Sequence, residues 1–138
     1  MKTTLRTGVA ARRAFLVDAS RTIDFMGEDA RVYATPMLVR DIEVTCRELL
    51  LEHLDPGEDS VGTRVEIDHL AATLLGMSVT IEATLAELKG RAAVFDVLAS
   101  DGVDVVCRGR HTRFIANVAQ VKQRLKHKKE NATAKASA

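Results

Sequence analysis

The sequence has no tryptophan, and aromatic residues make up only 4% of its 138 residues. Proteins that bind single-stranded nucleic acid stack bases on aromatic side chains, so this scarcity argues against that role. The net charge is +1, which points to no particular charged partner. Because the chain contains no apolar run of about 18 residues, we predict no membrane-spanning segment. The expected partners therefore include neither a nucleic acid nor a membrane.

Cysteine is also scarce, since the chain has only Cys46 and Cys107 and no CxxC pair. Their spacing does not match a metal site, and no glycine-rich phosphate loop is present, so we expect no metal and no cofactor. They fall within a predicted helix and a predicted strand, which indicates buried, free thiols in a reducing compartment. With no secretory signal or lipidation motif, we expect a cytoplasmic protein.

The most strongly patterned stretch runs from Thr35 to His53, and we predict that it is one long helix. Its apolar residues recur at three- and four-residue steps, so they form one stripe along the helix. Pro36 suits the first helical position because it has no N–H to leave unbonded there. Thr35 is then the expected N-cap residue. The stripe consists of Leu38, Ile42, Thr45, Cys46, Leu49 and His53.

Alternating apolar and polar residues predict one strand before this helix and four after it. One helix and five strands, most of them joined by tight turns, indicate an α+β fold with an antiparallel sheet. We expect a single domain over residues 1–120 and a basic, disordered tail over residues 121–138. Because one helix cannot cover a five-stranded sheet, a two-fold dimer is also expected. The predicted strands are residues 9–19, 63–73, 77–88, 91–100 and 103–118, with a loop over residues 21–33.

Three side chains near the helix are candidates for chemistry. His69 is predicted to share one side of its strand with Val65 and Ile67, so it is either a hydrogen-bonded core histidine or a general base. Glu43 lies at the margin of the apolar stripe, where a carboxylate is either a solvated flank or part of a site. The hydroxyl of Thr35 can cap the helix and still take part in a site.

Three further residues could complete such a site. Gly62 is either a turn glycine or a close-approach point whose N–H faces an oxyanion. Arg113 and His111 share one side of the last predicted strand, and each is either a surface residue or part of the site. A carboxylate, a hydroxyl, an inward histidine and a cation together suit acyl transfer, because the oxyanion that develops there needs hydrogen-bond donors. The chain contains no GxSxG nucleophile motif.

Three stretches of the sequence carry a family resemblance. YATPMLVRDIE, LDPGEDSVGTRVEIDHLAAT and SDGVDVVCRGRHTRF resemble the fluoroacetyl-CoA thioesterases, a family of hotdog-fold proteins, over residues 33–113. The most specific part is PGExSxGTxxxxxHxAAT, from Pro56 to Thr73. The resemblance implies a hotdog fold, in which a sheet wraps around one central helix and two copies form a dimer through their sheets.

The resemblance also implies roles for individual residues. Thr35, Glu43 and His69 match the family's catalytic set. Gly62 matches the glycine whose amide contacts the acyl group, and Arg113 matches an arginine near the end of the last strand that helps to position the substrate or contacts CoA phosphates. If these roles hold, His69 and Glu43 are expected to share one cleft near the amino end of the helix.

The implied function is an acyl-CoA thioesterase acting on a short-chain or small acyl group, with CoA entering only as part of the substrate. In the family an aromatic lid precedes the helix. Here that segment is Gly27–Ala30, which contains no matching phenylalanine, and Tyr33, which follows it, is a candidate substrate contact. The identity of the acyl group, fluoroacetyl included, is left open, as is the choice between dimer and tetramer. The alternative function is a non-catalytic module that binds acyl-CoA or another small ligand on the same fold.

Overall fold

Helix α1, Thr35–Leu51, is the element around which the sheet is built. The computed structural model describes residues 1–137. The predicted stripe faces the core over Leu38, Ile42, Thr45, Cys46 and Leu49, which are all buried. The helix ends earlier than predicted, so His53 lies beyond it, where its Nδ1 is 2.8 Å from the hydroxyl of Thr4. The periodic pattern therefore identified the buried face correctly and placed the end of the helix two residues too late.

The first turn of α1 differs from the prediction. The N-cap residue is Ala34, whose backbone is extended (φ −75°, ψ 134°). Its carbonyl oxygen accepts hydrogen bonds from the amides of Met37 and Leu38, at 3.0 Å each. The prediction of Thr35 as the N-cap is therefore wrong by one residue. Since Thr35 already lies inside the helix, its hydroxyl is free to bond to another element.

Five antiparallel strands form the main sheet, and their order across it is β1-β5-β6-β7-β4. Strands β1 and β4 are the two edges. Helix α1 contacts β1, β4, β5 and β7, so the sheet wraps around it. This arrangement confirms the predicted α+β fold. The strands are β1 Ala10–Leu16, β2 Thr22–Ile23, β3 Val32–Tyr33, β4 Glu58–His69, β5 Ser78–Lys89, β6 Ala92–Ser100 and β7 Val105–Asn117.

The central strands β5, β6 and β7 show the predicted alternation. Every second residue points toward α1, and the residues between them face the other side of the sheet. In β7 the inward side chains include two charged or polar ones, His111 and Arg113, which are both buried. The buried inward residues are Val79, Ile81, Ala83 and Leu85 in β5, Ala93, Phe95, Val97 and Ala99 in β6, and Cys107, His111, Arg113 and Ile115 in β7.

Strand β4 follows the predicted alternation less closely. It begins at Glu58 rather than at residue 63, and it ends at His69. A register shift against β7 between Gly62 and Arg64 leaves Thr63 without a paired residue. Val65, predicted to face inward, is exposed. The reason is that β4 is an edge strand, so one side of it has no neighbouring strand within the chain to cover its side chains.

The segment between β1 and α1 contains more structure than the predicted loop. Strands β2 and β3 pair with each other, and single 3₁₀ turns lie at Ala19–Arg21 and Glu28–Ala30. These elements are too short to produce a readable periodicity. Phe25 and Met26 project from the same segment and are largely exposed. Phe25 is therefore an exposed aromatic residue just outside Gly27–Ala30, the segment that the resemblance indicated.

The C-terminal segment is helical rather than disordered over the residues described. Helix α2, Val118–Ala136, is capped by Asn117, whose side chain accepts from the amide of Gln120 at 3.1 Å. The predicted tail over residues 121–138 neglected this cap and the many good helix formers that follow it. None of the helix's side chains is buried, so the expected solvation of its charges holds. Within residues 1–137, neither helix is long and apolar enough to cross a bilayer.

Candidate active site

His69 and Thr35 form one contact of the candidate site. His69 is the last residue of β4, and its Nδ1 lies 2.8 Å from Oγ1 of Thr35 in the first turn of α1. The other ring nitrogen, Nε2, is buried and has no hydrogen-bond partner among the described residues. Burial lowers the pKa of His69 below its ordinary value of 6.5. The imidazole is therefore neutral at pH 7, with one nitrogen oriented by Thr35 and the other buried without a partner among the described residues.

The ring of Tyr33 packs against the ring of His69. The two rings meet edge to face, with centroids 6.2 Å apart and planes at 82°. The Tyr33 hydroxyl donates a 2.5 Å hydrogen bond to Oδ2 of the buried Asp41. Burial is the main cause that raises the pKa of Tyr33, and the hydrogen bond to Asp41 raises it further. The residue predicted to bind substrate can therefore offer the face or edge of its ring, while its hydroxyl is engaged inside the protein.

Asp41 is a buried carboxylate that sequence reasoning did not assign to the site. Besides Tyr33, Arg21 binds it through Nε and Nη2, at 3.0 and 3.3 Å. The sequence does indicate that Asp41 is buried, because it lies one turn from both Leu38 and Thr45 on the buried stripe. An acidic residue there must find a cation or donors, since an unpaired buried charge is very costly.

Glu43 belongs to a second contact, two turns further along α1. Its Oε1 is 3.5 Å from Nη1 of Arg113. The carboxylate lies against Gly62 of β4, and a Cβ atom at that glycine would collide with Oε1. Gly62 and Arg113 are paired across β4 and β7, so the sheet register places the cation beside the carboxylate. The structure thus brings together three of the predicted site residues.

Arg113 is held in place by groups other than Glu43. Its Nε donates to Oγ of Ser60 at 2.7 Å, and its Nη2 donates to the Ser60 carbonyl oxygen at 2.9 Å. Its Nη1 also lies 3.2 Å from Nε2 of His111. Sequence reasoning left both Arg113 and His111 as possible surface residues, but both are buried. Ser60 pairs with Ile115 across the sheet, and no pattern in the sequence indicated its contact with Arg113.

The two contacts line separate cavities within one chain. One cavity of about 280 Å³, which we call the His69 cavity, is bounded by Thr35, Tyr33 and His69 together with small or aliphatic residues. Another of about 200 Å³, the Glu43 cavity, is bounded by Glu43, Val44 and three arginines. Glu43 follows Thr35 by eight residues, which corresponds to about 12 Å along a helix. The expectation that His69 and Glu43 share one cleft is therefore not met within a single chain.

The two cysteines are core residues rather than nucleophiles. Both are buried and free, as predicted. Burial raises the pKa of Cys46 to about 12 and that of Cys107 to about 11. Each is therefore a neutral thiol at physiological pH, and a thiol is a far weaker nucleophile than a thiolate. Across residues 1–137, no three His, Cys, Asp or Glu side chains converge in a manner suited to holding a metal ion.

Comparison with known proteins agrees with this architecture. The family model of FlK, the fluoroacetyl-CoA-specific thioesterase, matches residues 17–119. The fluoroacetyl-CoA thioesterase of Streptantibioticus cattleyicolor is 31% identical over 135 residues, covering 93% of this chain and 97% of that protein. A solved structure of FlK is 30% identical, with a TM-score of 0.82 over 90% of this chain and 97% of its own. A thioesterase superfamily member from Thermus thermophilus is also 30% identical, with a TM-score of 0.87 over 96% of this chain and 98% of its own.

The helix-wrapping sheet and these similarities define a hotdog-fold protein of the thioesterase superfamily. Within that class, the chain belongs to the fluoroacetyl-CoA-specific thioesterase family.

Proposed function

We propose that this protein is an acyl-CoA thioesterase that hydrolyses a short-chain or small acyl-CoA to the free acid and CoA. The observation that carries the proposal is the His69–Thr35 pair, which leaves a neutral imidazole with an unpartnered Nε2. A lone pair held in this way is suited to accept a proton from water. Membership of the family supports the same activity.

In the proposed reaction, water or Glu43 supplies the oxygen that attacks the thioester carbon. When Nδ1–H of His69 donates to Thr35, Nε2 carries the lone pair and takes the proton of the attacking water. The new C–O bond forms, the C–S bond breaks, and the protonated histidine returns the proton to the CoA thiolate. Glu43 either orients that water as a hydrogen-bond acceptor, or acts as the nucleophile. In the second route its carboxylate displaces the CoA thiolate to form an anhydride, water then hydrolyses the anhydride with His69 as the base, and the proton taken from that water ends on the thiolate.

The walls of the His69 cavity favour a small, apolar acyl group. Five of its lining residues, Ile23, Val32, Leu70, Ala71 and Ala72, present aliphatic or methyl surface. Its volume of about 280 Å³ lies near the lower end of the range for small-molecule sites. The exposed Phe25 and Met26 are not among the residues that line it. These features fit a short acyl chain and do not select fluoroacetyl over acetyl or propionyl.

A homodimer would unite the two cavities in one site. The edge strand β4 carries Gly62 near its middle and His69 at its end. Two copies could pair antiparallel through this edge, with the two-fold axis between Val65 and Glu66. In that register, Gly62 of one protomer lies opposite the partner's His69. The Glu43 cavity of each protomer then faces the His69 cavity of its partner. We propose that each active site is composed in this way, in a soluble, cytoplasmic dimer.

Mixing two inactive variants tests the shared site. Glu43→Ala and His69→Ala homodimers would each lack one half of both sites. A mixed dimer contains one intact site and one site that lacks both residues. After the variants are unfolded and refolded together in equal amounts, random pairing is expected to restore about a quarter of wild-type activity. No recovery, in a mixture shown by mass spectrometry to contain mixed dimers, would place the whole site within one chain.

The activity itself is tested by hydrolysis of an acyl-CoA panel. We expect release of free CoA thiol from acetyl-, fluoroacetyl-, propionyl- and butyryl-CoA, with turnover falling as the chain exceeds the volume of the His69 cavity. A thiol-reactive dye measures the product. Tight acyl-CoA binding in calorimetry without turnover of any substrate would instead favour the alternative function, a non-catalytic binding module.

A further inference from the structure

The ion pair of Glu43 with Arg113 is the first of a series of polar contacts that continues into the core. The carboxylate contacts Arg113, and Arg113 in turn contacts Ser60 and His111. His111 is completely buried, whereas the Glu43 side chain is 42% exposed. These contacts therefore link the solvent-accessible carboxylate of Glu43 to the imidazole of His111, which is buried away from solvent.

The contacts of His111 define which of its nitrogens carries the proton. Nδ1 lies 2.8 Å from the carbonyl oxygen of Arg64, which can only accept a hydrogen bond. Nδ1 must therefore carry the hydrogen, and in the neutral ring Nε2 is left with a lone pair. That lone pair faces Nη1 of Arg113, which can only donate. Burial lowers the pKa of His111, and the neighbouring cation of Arg113 acts in the same direction.

The local fold of β4 creates this arrangement. His111 is paired with Val65, just beyond the register shift between Gly62 and Arg64. The same shift lies beside Gly62, where the absence of a side chain leaves room for the Glu43 carboxylate. A Cβ at Gly62 would also lie 3.2 Å from Cε1 of His111. The glycine, the histidine and the carboxylate thus meet at one irregular point of the sheet.

We propose that His111 is a positioning residue: as a neutral acceptor for Arg113, it fixes the guanidinium that aims the Glu43 carboxylate at the substrate. This inference rests on the proposed thioesterase activity. With Nε and Nη2 bound to Ser60 and Nη1 shared between His111 and Glu43, Arg113 is committed to the interior. In this proposal it serves Glu43, a role that differs from the two that the resemblance implied for it, positioning the substrate and contacting the phosphates of CoA.

Two substitutions separate the two hydrogen bonds of His111. In His111→Gln the amide reaches about as far as Nε2 and can still accept from Arg113 through its oxygen. In His111→Asn the amide reaches only about as far as Nδ1, so it can donate to the Arg64 carbonyl but not accept from Arg113. We expect His111→Gln to keep most of the wild-type kcat and His111→Asn to lose about tenfold to a hundredfold, with KM changing little.

Three controls accompany this comparison. His127→Asn, on the solvated helix α2, is expected to change neither parameter. In a Glu43→Gln background, His111→Asn is expected to cause no further loss, because residues that act as a unit are not additive. If His111→Asn does not fold, Ser60→Ala removes a different acceptor of Arg113 and is expected to lower kcat in the same direction.

The inference fails if His111→Asn keeps its activity while His111→Gln loses it, because the histidine would then serve only the Arg64 carbonyl. It also fails if His111→Asn lowers the residual rate of Glu43→Gln as strongly as it lowers the wild-type rate.

Nitrogen-15 NMR of the wild type offers a test that does not depend on activity. It should show His111 protonated at Nδ1 alone at pH 7. A wild type without turnover would refute the proposed function and still leave the spectrum to test the tautomer.

Discussion

Glu43→Gln is expected to lower kcat by about two orders of magnitude or more while leaving the protein folded. Glutamine keeps the size of the side chain but can act neither as a nucleophile nor as a base for water. The Glu43 side chain is 42% exposed, so the substitution leaves no cavity in the core. Steady-state hydrolysis of the best acyl-CoA substrate gives kcat, and thermal unfolding shows whether the variant is folded.

The same helix offers a matched control for this substitution. Glu48 is 45% exposed and forms an ion pair with Arg13, so Glu48→Gln removes a comparable charge outside both cavities. We expect it to retain wild-type kcat. A folded Glu43→Gln protein that is as active as Glu48→Gln would remove Glu43 from the catalytic set. Single turnover in ¹⁸O-labelled water then separates the two roles of Glu43, because only the anhydride route places the label in its carboxylate.

His69→Ala is expected to lower kcat by about two orders of magnitude, since it removes the group proposed to accept and return the proton. A second histidine provides the control. His53 also has its Nδ1 at 2.8 Å from a threonine hydroxyl, that of Thr4, but it lies beyond the end of α1 and lines neither cavity. We expect His53→Ala to keep wild-type activity. Equal activity in the two folded variants would show that the His69–Thr35 pair is structural.

The pH dependence of the wild type follows from the environment of His69. Burial lowers its pKa below 6.5, and the proposed base is the neutral form. The value of kcat/KM is therefore expected to be constant around neutral pH and to fall as the pH drops through this lowered pKa. An acid limb with its midpoint above 6.5 would contradict the assignment, because it would require a histidine whose protonated form is stabilised rather than destabilised by burial.

The helix and the central strands could be predicted because their patterns are local. The three- and four-residue steps in α1, and the alternation in β5, β6 and β7, each arise from residues close together in sequence. Strand β4 follows this alternation less closely, because a register shift interrupts it between Gly62 and Arg64 and because its burial depends on what lies beyond its outer edge, which the sequence does not describe. In the segment of helix α2, the basic and then small, polar residues favour a strand or short helix that frays into a disordered tail, whereas the helix extends to Ala136. Its cap at Asn117 shows that a solvated segment can still be helical.

The candidate site was predictable in its members and less so in its geometry. The resemblance singled out Thr35, Glu43 and His69, yet their positions along α1 already placed the first two about 12 Å apart. The contact between Glu43 and Arg113 depends on the register of β4 against β7, a pairing that no local pattern reveals. The role of Asp41 depends on Arg21, which is distant in sequence and belongs to a segment without clear periodicity.

The close approach of Gly62 to the Glu43 carboxylate has a consequence for how this position tolerates change. Gly62 is not among the glycines with positive φ, so its backbone does not demand glycine, and the atom that a methyl group would strike is the free end of a flexible side chain. An alanine there pushes the mobile carboxylate aside and brings its Cβ to 3.2 Å from Cε1 of the buried His111, which has to give only slightly. The cost in folding free energy is therefore smaller than the effect on the position of the carboxylate. A mutational scan scored by expression or melting temperature would rank the position as permissive, while one scored by turnover would rank it among the most restricted in the chain.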